Sequence, residues 1–125
     1  MLAVTSSFTV QIPAAAWMTS NGRYHWADRA RRTRVLRAMA AAQCRRHHIH
    51  ADGPVRVVAE IGYRNGRADP ANGYPTIKAL IDGMTDAGVW PDDDSEHVIG
   101  PDMRRATEPP PRGYHTVTIT LEELS

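Results

Sequence analysis

Apolar residues fall along this chain in two rhythms, and the points where one replaces the other mark out its elements. Residues 4–12, VTSSFTVQI, are β-branched and aromatic in partial alternation and stop at Pro13, which predicts a strand. The stretch AAAWMTSNGRYHW that follows reads as a loop. From about Asp28 to His47, Val35, Leu36, Met39, Ala40 and Ala42 recur at helical spacing among arginines, predicting a long basic helix. Asp52-Gly53-Pro54 supplies a turn, after which PVRVVAEIGY alternates as a second strand with Val55, Val57 and Ala59 on one face.

Arg64 to Ala71 reads as a polar loop. Asn72 suits a helix N-cap and Pro75 the first helical turn, where a missing N–H is harmless. Ile77, Leu80, Ile81 and Met84 then follow at i, i+3, i+4, i+7, and Gly88 is the expected stop. Beyond the acidic turn PDDDSE, HVIG reads as a short strand, EPPPRG as a proline-rich loop and HTVTITLEE as the most regular strand of the chain. The order β-α-β-α-β-β predicts an α+β fold: one domain over 1–125, with a small mixed four-stranded sheet and two helices on one face. There is no internal repeat and no linker long enough to separate domains.

A chain of 125 residues can bury a sufficient core without disulfides or structural metal. The lone cysteine, Cys44, excludes an intramolecular disulfide and suits a reducing compartment, so the cytoplasm is expected. MLAVTSSFTVQIP lacks a basic n-region and a long apolar run, and no stretch approaches the roughly 20 apolar residues of a membrane span, so neither export nor membrane insertion is expected. Fourteen arginines against one lysine, with abundant alanine, fit a G+C-rich genome and do not by themselves imply nucleic acid.

The net charge of +1 conceals a division at Arg67. Residues 1–67 hold eleven arginines against Asp28, Asp52 and Glu60, a balance of +8, whereas residues 68–125 come to −7. Two readings stay open: a polyanion-binding surface beside an anionic, metal-attracting centre, or a chance distribution of solvated charge.

Candidate chemistry concentrates in residues 67–94. Asp69 lies on a loop after a strand, Lys78 near the start of the next helix, and Asp92, Asp93 and Asp94 just beyond its end. Such a carboxylate set outlines a hard-cation site if the helix ends fold back over the sheet edge. Oxygen ligands without Cys or His point to magnesium or manganese over zinc. The metal would polarise a phosphate and activate water, and Lys78 would steady the transition-state charge. The competing reading takes Asp92 to Asp94 as a solvated turn, Asp69-Pro70 as a turn initiator and Lys78 with Asp82 as an i, i+4 surface ion pair.

The pattern D-x-x-N followed by K-A-x-x-D-x-x-x-x-A-G-x-W-x-D-D, matched by Asp69, Asn72, Lys78, Ala79, Asp82, Ala87, Gly88, Trp90, Asp92 and Asp93, resembles the core signature of the RusA family of Holliday-junction resolvases. The likeness extends to Ser20-Asn21-Gly22-Arg23-Tyr24 after the first strand and to the closing strand from Thr116 to Leu121. It implies a small homodimeric, magnesium-dependent endonuclease, often phage-encoded, that nicks four-way DNA junctions. By position it implies Asp69 and Asp93 as catalytic metal-binding carboxylates, Asp92 beside them in the metal set, and Lys78 as the catalytic lysine. Where the family motif reads D-x-D-N, this chain has Asp69-Pro70-Ala71-Asn72, so Ala71 replaces a carboxylate, and two residues stand inserted before Lys78. Asp82, Asp92, Asp94 or neutral Asn72 would have to supply the missing oxygen. A binding protein with weakened chemistry, or a small regulatory protein whose acidic turn meets a partner, remain alternatives.

Branched DNA is the expected partner. Arg31 and Arg34 of the basic helix, with Arg67 and the loop residues Asn21 and Arg23, are the DNA-binding candidates, though Asn21-Gly22 equally reads as a plain turn. His47, His48 and His50 read as a helix C-terminal patch, Trp17, Trp26 and Trp90 as core or dimer anchors, and Cys44 as packed.

Overall fold

The computed structural model describes residues 2–124 other than 67 and 93. Four strands, β1 (Leu2–Pro13), β2 (Val55–Ile61), β3 (Val98–Arg105) and β4 (Tyr114–Leu124), form one sheet in the order β1-β4-β2-β3. β4 runs antiparallel to both neighbours, and β2 and β3 are parallel. A parallel pair needs a crossover, and helix α2 (Tyr74–Asp86) lies within it, while α1 (Trp26–Arg46) connects β1 to β2. The architecture is the α+β arrangement that the pattern predicted.

Register explains why one sheet face is apolar. Ile119 lies opposite Phe8 on one side and Ala59 on the other, and Val117 opposite Val10 and Ile61. All six are buried, and they form one core with Leu36, Ala40 and Cys44 of α1 and Ile77, Leu80, Ile81 and Met84 of α2. Both helices therefore cover the same face. The other face is polar, with Thr9 bonded to Thr118 and Thr116 to Gln11.

Three local expectations need correction. α1 begins at Trp26, two residues before Asp28, because His25 caps it with Nδ1 accepting the Ala27 N–H at 3.2 Å, a role that hydroxyl and Asx side chains usually fill. Its buried stripe is Leu36, Ala40, Ala41 and Cys44, while Ala42 is exposed. Asn72 is not the cap of α2: it lies in a 3-10 turn, Pro70–Gly73, and Gly73 takes the N-cap position. β3 runs five residues beyond HVIG. Gly100-Pro101 disguises it, yet β3 is an edge strand, where proline is tolerated, and a Cβ at Gly100 would stand 2.8 Å from the Val57 carbonyl oxygen. Gly88, as expected, follows α2 with φ of 80°.

α1 and α2 lie against each other, and Gly83 permits their approach. A Cβ there would collide with the Arg37 carbonyl oxygen. No helix among the described residues is long and apolar enough to cross a membrane.

Candidate active site and its basic surroundings

Asp69 leaves the loop after β2 as an exposed residue, and its Oδ1 accepts the Ala71 N–H at 3.0 Å, capping the 3-10 turn that leads into α2. Pro70 starts that turn with its φ already set. Asp69 sits close enough to Tyr63 to act on its phenol. Burial pushes the Tyr63 hydroxyl above its ordinary value, the Asp69 charge adds to this, and Arg105 opposes it from 5.3 Å above the ring. Tyr63 in turn packs edge-on to Trp17 and His115, which stack on each other at 4.0 Å.

Lys78 lies one turn into α2 and donates from Nζ to Asp82 Oδ1 at 3.0 Å. The i, i+4 pair anticipated from spacing is therefore present. Lys78 and Asp82 line a cavity of about 320 Å³ together with Arg29 and Thr33 of α1 and Tyr74 of α2. The basic helix and the candidate lysine thus share a wall.

The loop holding Asn21 and Arg23 is tied to the same region. The Ser20 N–H donates to the Asn72 carbonyl at 2.8 Å, and Thr76 accepts the Met18 N–H and donates to the Met18 carbonyl, each at 2.8 Å. Inside the loop, the Thr19 N–H donates to the Tyr24 hydroxyl at 3.0 Å. Asn21 and Arg23 remain exposed at its tip. Two segments far apart in sequence, around residues 18–24 and 69–78, are thereby joined into one surface.

The acidic cluster beyond α2 divides. Asp92 is exposed, and Asp93 and Arg67 lie outside the described residues. Asp94 is taken up by its own turn: Oδ1 lies 2.7 Å from His97 Nδ1 and accepts the Glu96 N–H at 2.9 Å. The His97 side chain, aided by these backbone donors, holds its carboxyl below the usual range. This turn lies where β2 begins, since the Val55 N–H donates to the His97 carbonyl. Asp69 stands at the N-terminal end of α2 and Asp92 past its C-terminal end. Among the described residues no group of three or more His, Cys, Asp or Glu side chains is placed to hold a metal ion, and the set expected from the sequence counts Asp93, which lies outside them. The donors in that set are all carboxylate oxygens, which suit a hard cation.

The arginines of α1 divide as well. Arg31 donates to Asp28 Oδ1 at 2.9 Å and to the Ala15 carbonyl, and Arg32 bonds Asp28 Oδ2 and the Trp17 carbonyl. Both tie the helix to the loop behind it. Arg34 is exposed and faces a groove along α1. Trp90 is buried, Trp17 is half-buried, and Trp26 is 77% exposed, so Trp26 does not anchor this core. Cys44 is packed, and burial pushes its thiol up to about 11. His47, His48 and His50 are exposed at and beyond the end of α1, as expected of a C-terminal patch. Pattern reading missed Thr76 and Arg105, because each acquires its place through a tertiary contact that leaves no local signal.

Compared with models of known protein families and with curated proteins, the chain matches none.

Proposed function

We propose that this protein is a divalent-metal-dependent endonuclease of the RusA type, acting on branched DNA such as a four-way junction. The observation that supports this best is the stitched surface on which Asn21, Arg23, Asp69 and Lys78 stand, with Lys78 sharing a cavity with Arg29 of the arginine-bearing helix. Asp69, at the Lys78 end of α2, would hold magnesium or manganese, which when bound polarises the scissile phosphate and supplies an activated water, and Asp92 and Asp93 are the further carboxylates that the resemblance implies. Lys78 places a compact positive charge where charge builds on the phosphoryl oxygens. Asp82 positions that ammonium through its 3.0 Å hydrogen bond. Arg23 and Arg34, both exposed, pair with backbone phosphates, and Arg67 is a third such candidate from the sequence. A homodimer would present two such sites to opposite arms of a junction, in the cytoplasm of a bacterium or a phage-infected cell.

Ala71 favours a second reading, a branched-DNA-binding protein whose chemistry is weakened by one missing carboxylate. Ala71 is exposed and its N–H holds Asp69, so an aspartate there meets no packing obstacle. Incubation of labelled junction and linear duplex with magnesium or manganese separates the readings. Metal-dependent nicking of the junction by the natural chain, abolished in Lys78→Ala, is expected. Tight junction binding with nicking only in Ala71→Asp would establish the second reading.

A further inference from the structure

A groove of about 760 Å³ runs along the outer side of α1, within the size range of ligand-binding clefts. Ala30, Ala38 and Ala41 floor it, Arg29, Arg34 and Arg45 border it, and Trp26 stands at one end. The single carboxylate on its rim among the described residues, Asp86, is already neutralised by two hydrogen bonds from Arg37 at 2.7 and 2.8 Å. Beside a flat indole, 77% exposed, stand three guanidinium groups, of which Arg45 also donates to the Asp86 carbonyl at 3.4 Å and Arg29 lies 5.6 Å from the centre of the Tyr24 ring. Arg29 and Thr33 also line the cavity of Lys78, so the groove continues to the candidate active site.

We propose that this groove holds an unpaired DNA strand, with one base stacked on Trp26 and successive phosphates on Arg29, Arg34 and Arg45. The inference rests on the nuclease reading, to whose site it assigns the strand released where a junction opens. The chemistry selects this occupant. Aromatic stacking beside a basic track is how single strands are held without sequence preference. A second copy packed here about a two-fold axis would set arginines against arginines. An acidic peptide would satisfy the guanidiniums and leave the path to Lys78 without purpose.

The test is fluorescence anisotropy of labelled oligothymidylate with EDTA present, using the full chain and its Trp26→Ala, Trp26→Phe and Arg34→Ala variants. Trp26→Ala is expected to weaken binding roughly tenfold, with Trp26→Phe close to wild type. Arg34→Ala is expected to lower the slope of log affinity against log salt by about 0.7. Unchanged circular dichroism of the Trp26 variants excludes misfolding as the cause. Failure of the natural chain to bind the oligonucleotide, equal binding by Trp26→Ala, or displacement by polyglutamate at concentrations where the oligonucleotide itself does not compete would overturn the proposal. Junction cleavage by the same preparations separates the two claims: cleavage with Trp26-independent strand binding removes the groove and keeps the nuclease, and the converse removes the nuclease and keeps the groove.

Discussion

Thr76→Val replaces a buried hydroxyl by a methyl of the same shape and so isolates the bonds that join the Asn21 and Arg23 loop to α2. Thr76 is fully buried, and its Oγ1 satisfies both backbone groups of Met18 at 2.8 Å. Valine fills the space and leaves the Met18 N–H and C=O without these partners. A buried polar group left unpaired costs roughly 1–3 kcal/mol, and two are affected. The added methyl returns about 1 kcal/mol of apolar burial. The net loss is about 3 kcal/mol, which for a domain of this length lowers Tm by about 10 °C. Thermal unfolding followed by circular dichroism measures it, with Thr76→Ser as the control that keeps the hydroxyl and loses only a methyl. The valine variant should be the less stable of the two and should bind junction DNA more weakly, because the loop comes loose. A Tm within about 2 °C of wild type would refute the reasoning, since the Met18 groups would then have other partners.

Other outcomes follow from the same packing. Gly83→Ala should destabilise by about 2 kcal/mol despite the better helix propensity of alanine, because its Cβ would meet the Arg37 backbone, whereas Gly53→Ala, with open space around it, should be near neutral by chemical denaturation. Cys44 should resist a disulfide reagent at pH 8 in the folded protein and react at once in denaturant, since burial holds its thiol near 11. Arg32 and Arg31 lower the Asp28 carboxyl, Arg37 lowers Asp86, and Arg104 with Arg56 lowers Asp102. A depressed folded value contributes stability above the unfolded pKa of about 4 and loses it as pH falls through the folded value. Tm should therefore hold from neutrality to about pH 5 and fall below about pH 4, less steeply in Asp86→Asn.

The parts of the fold that were legible are those with a strong local period. The alternation in β2 and β4 and the stripe from Ile77 to Met84 each specify a face, and those faces meet in one core. The start of α1 was hidden by a histidine cap, and the length of β3 by a glycine and proline that only an edge position excuses. In the site, the Lys78 to Asp82 pair follows from spacing within one helix. The link from Thr76 to Met18 spans 58 residues, and no local pattern encodes it. The core half of the core-or-dimer reading of Trp26 fails for a related reason: on a helix so rich in arginine, composition does not say which apolar residue turns away from the core.

The most direct measurement is to map cleavage on a four-way junction labelled on each strand in turn, with magnesium, with manganese and with EDTA, for the natural chain and Asp93→Asn. The account expects symmetric paired nicks that require metal and disappear in Asp93→Asn. Intact strands at every metal concentration, in the natural chain and in Ala71→Asp alike, would contradict it.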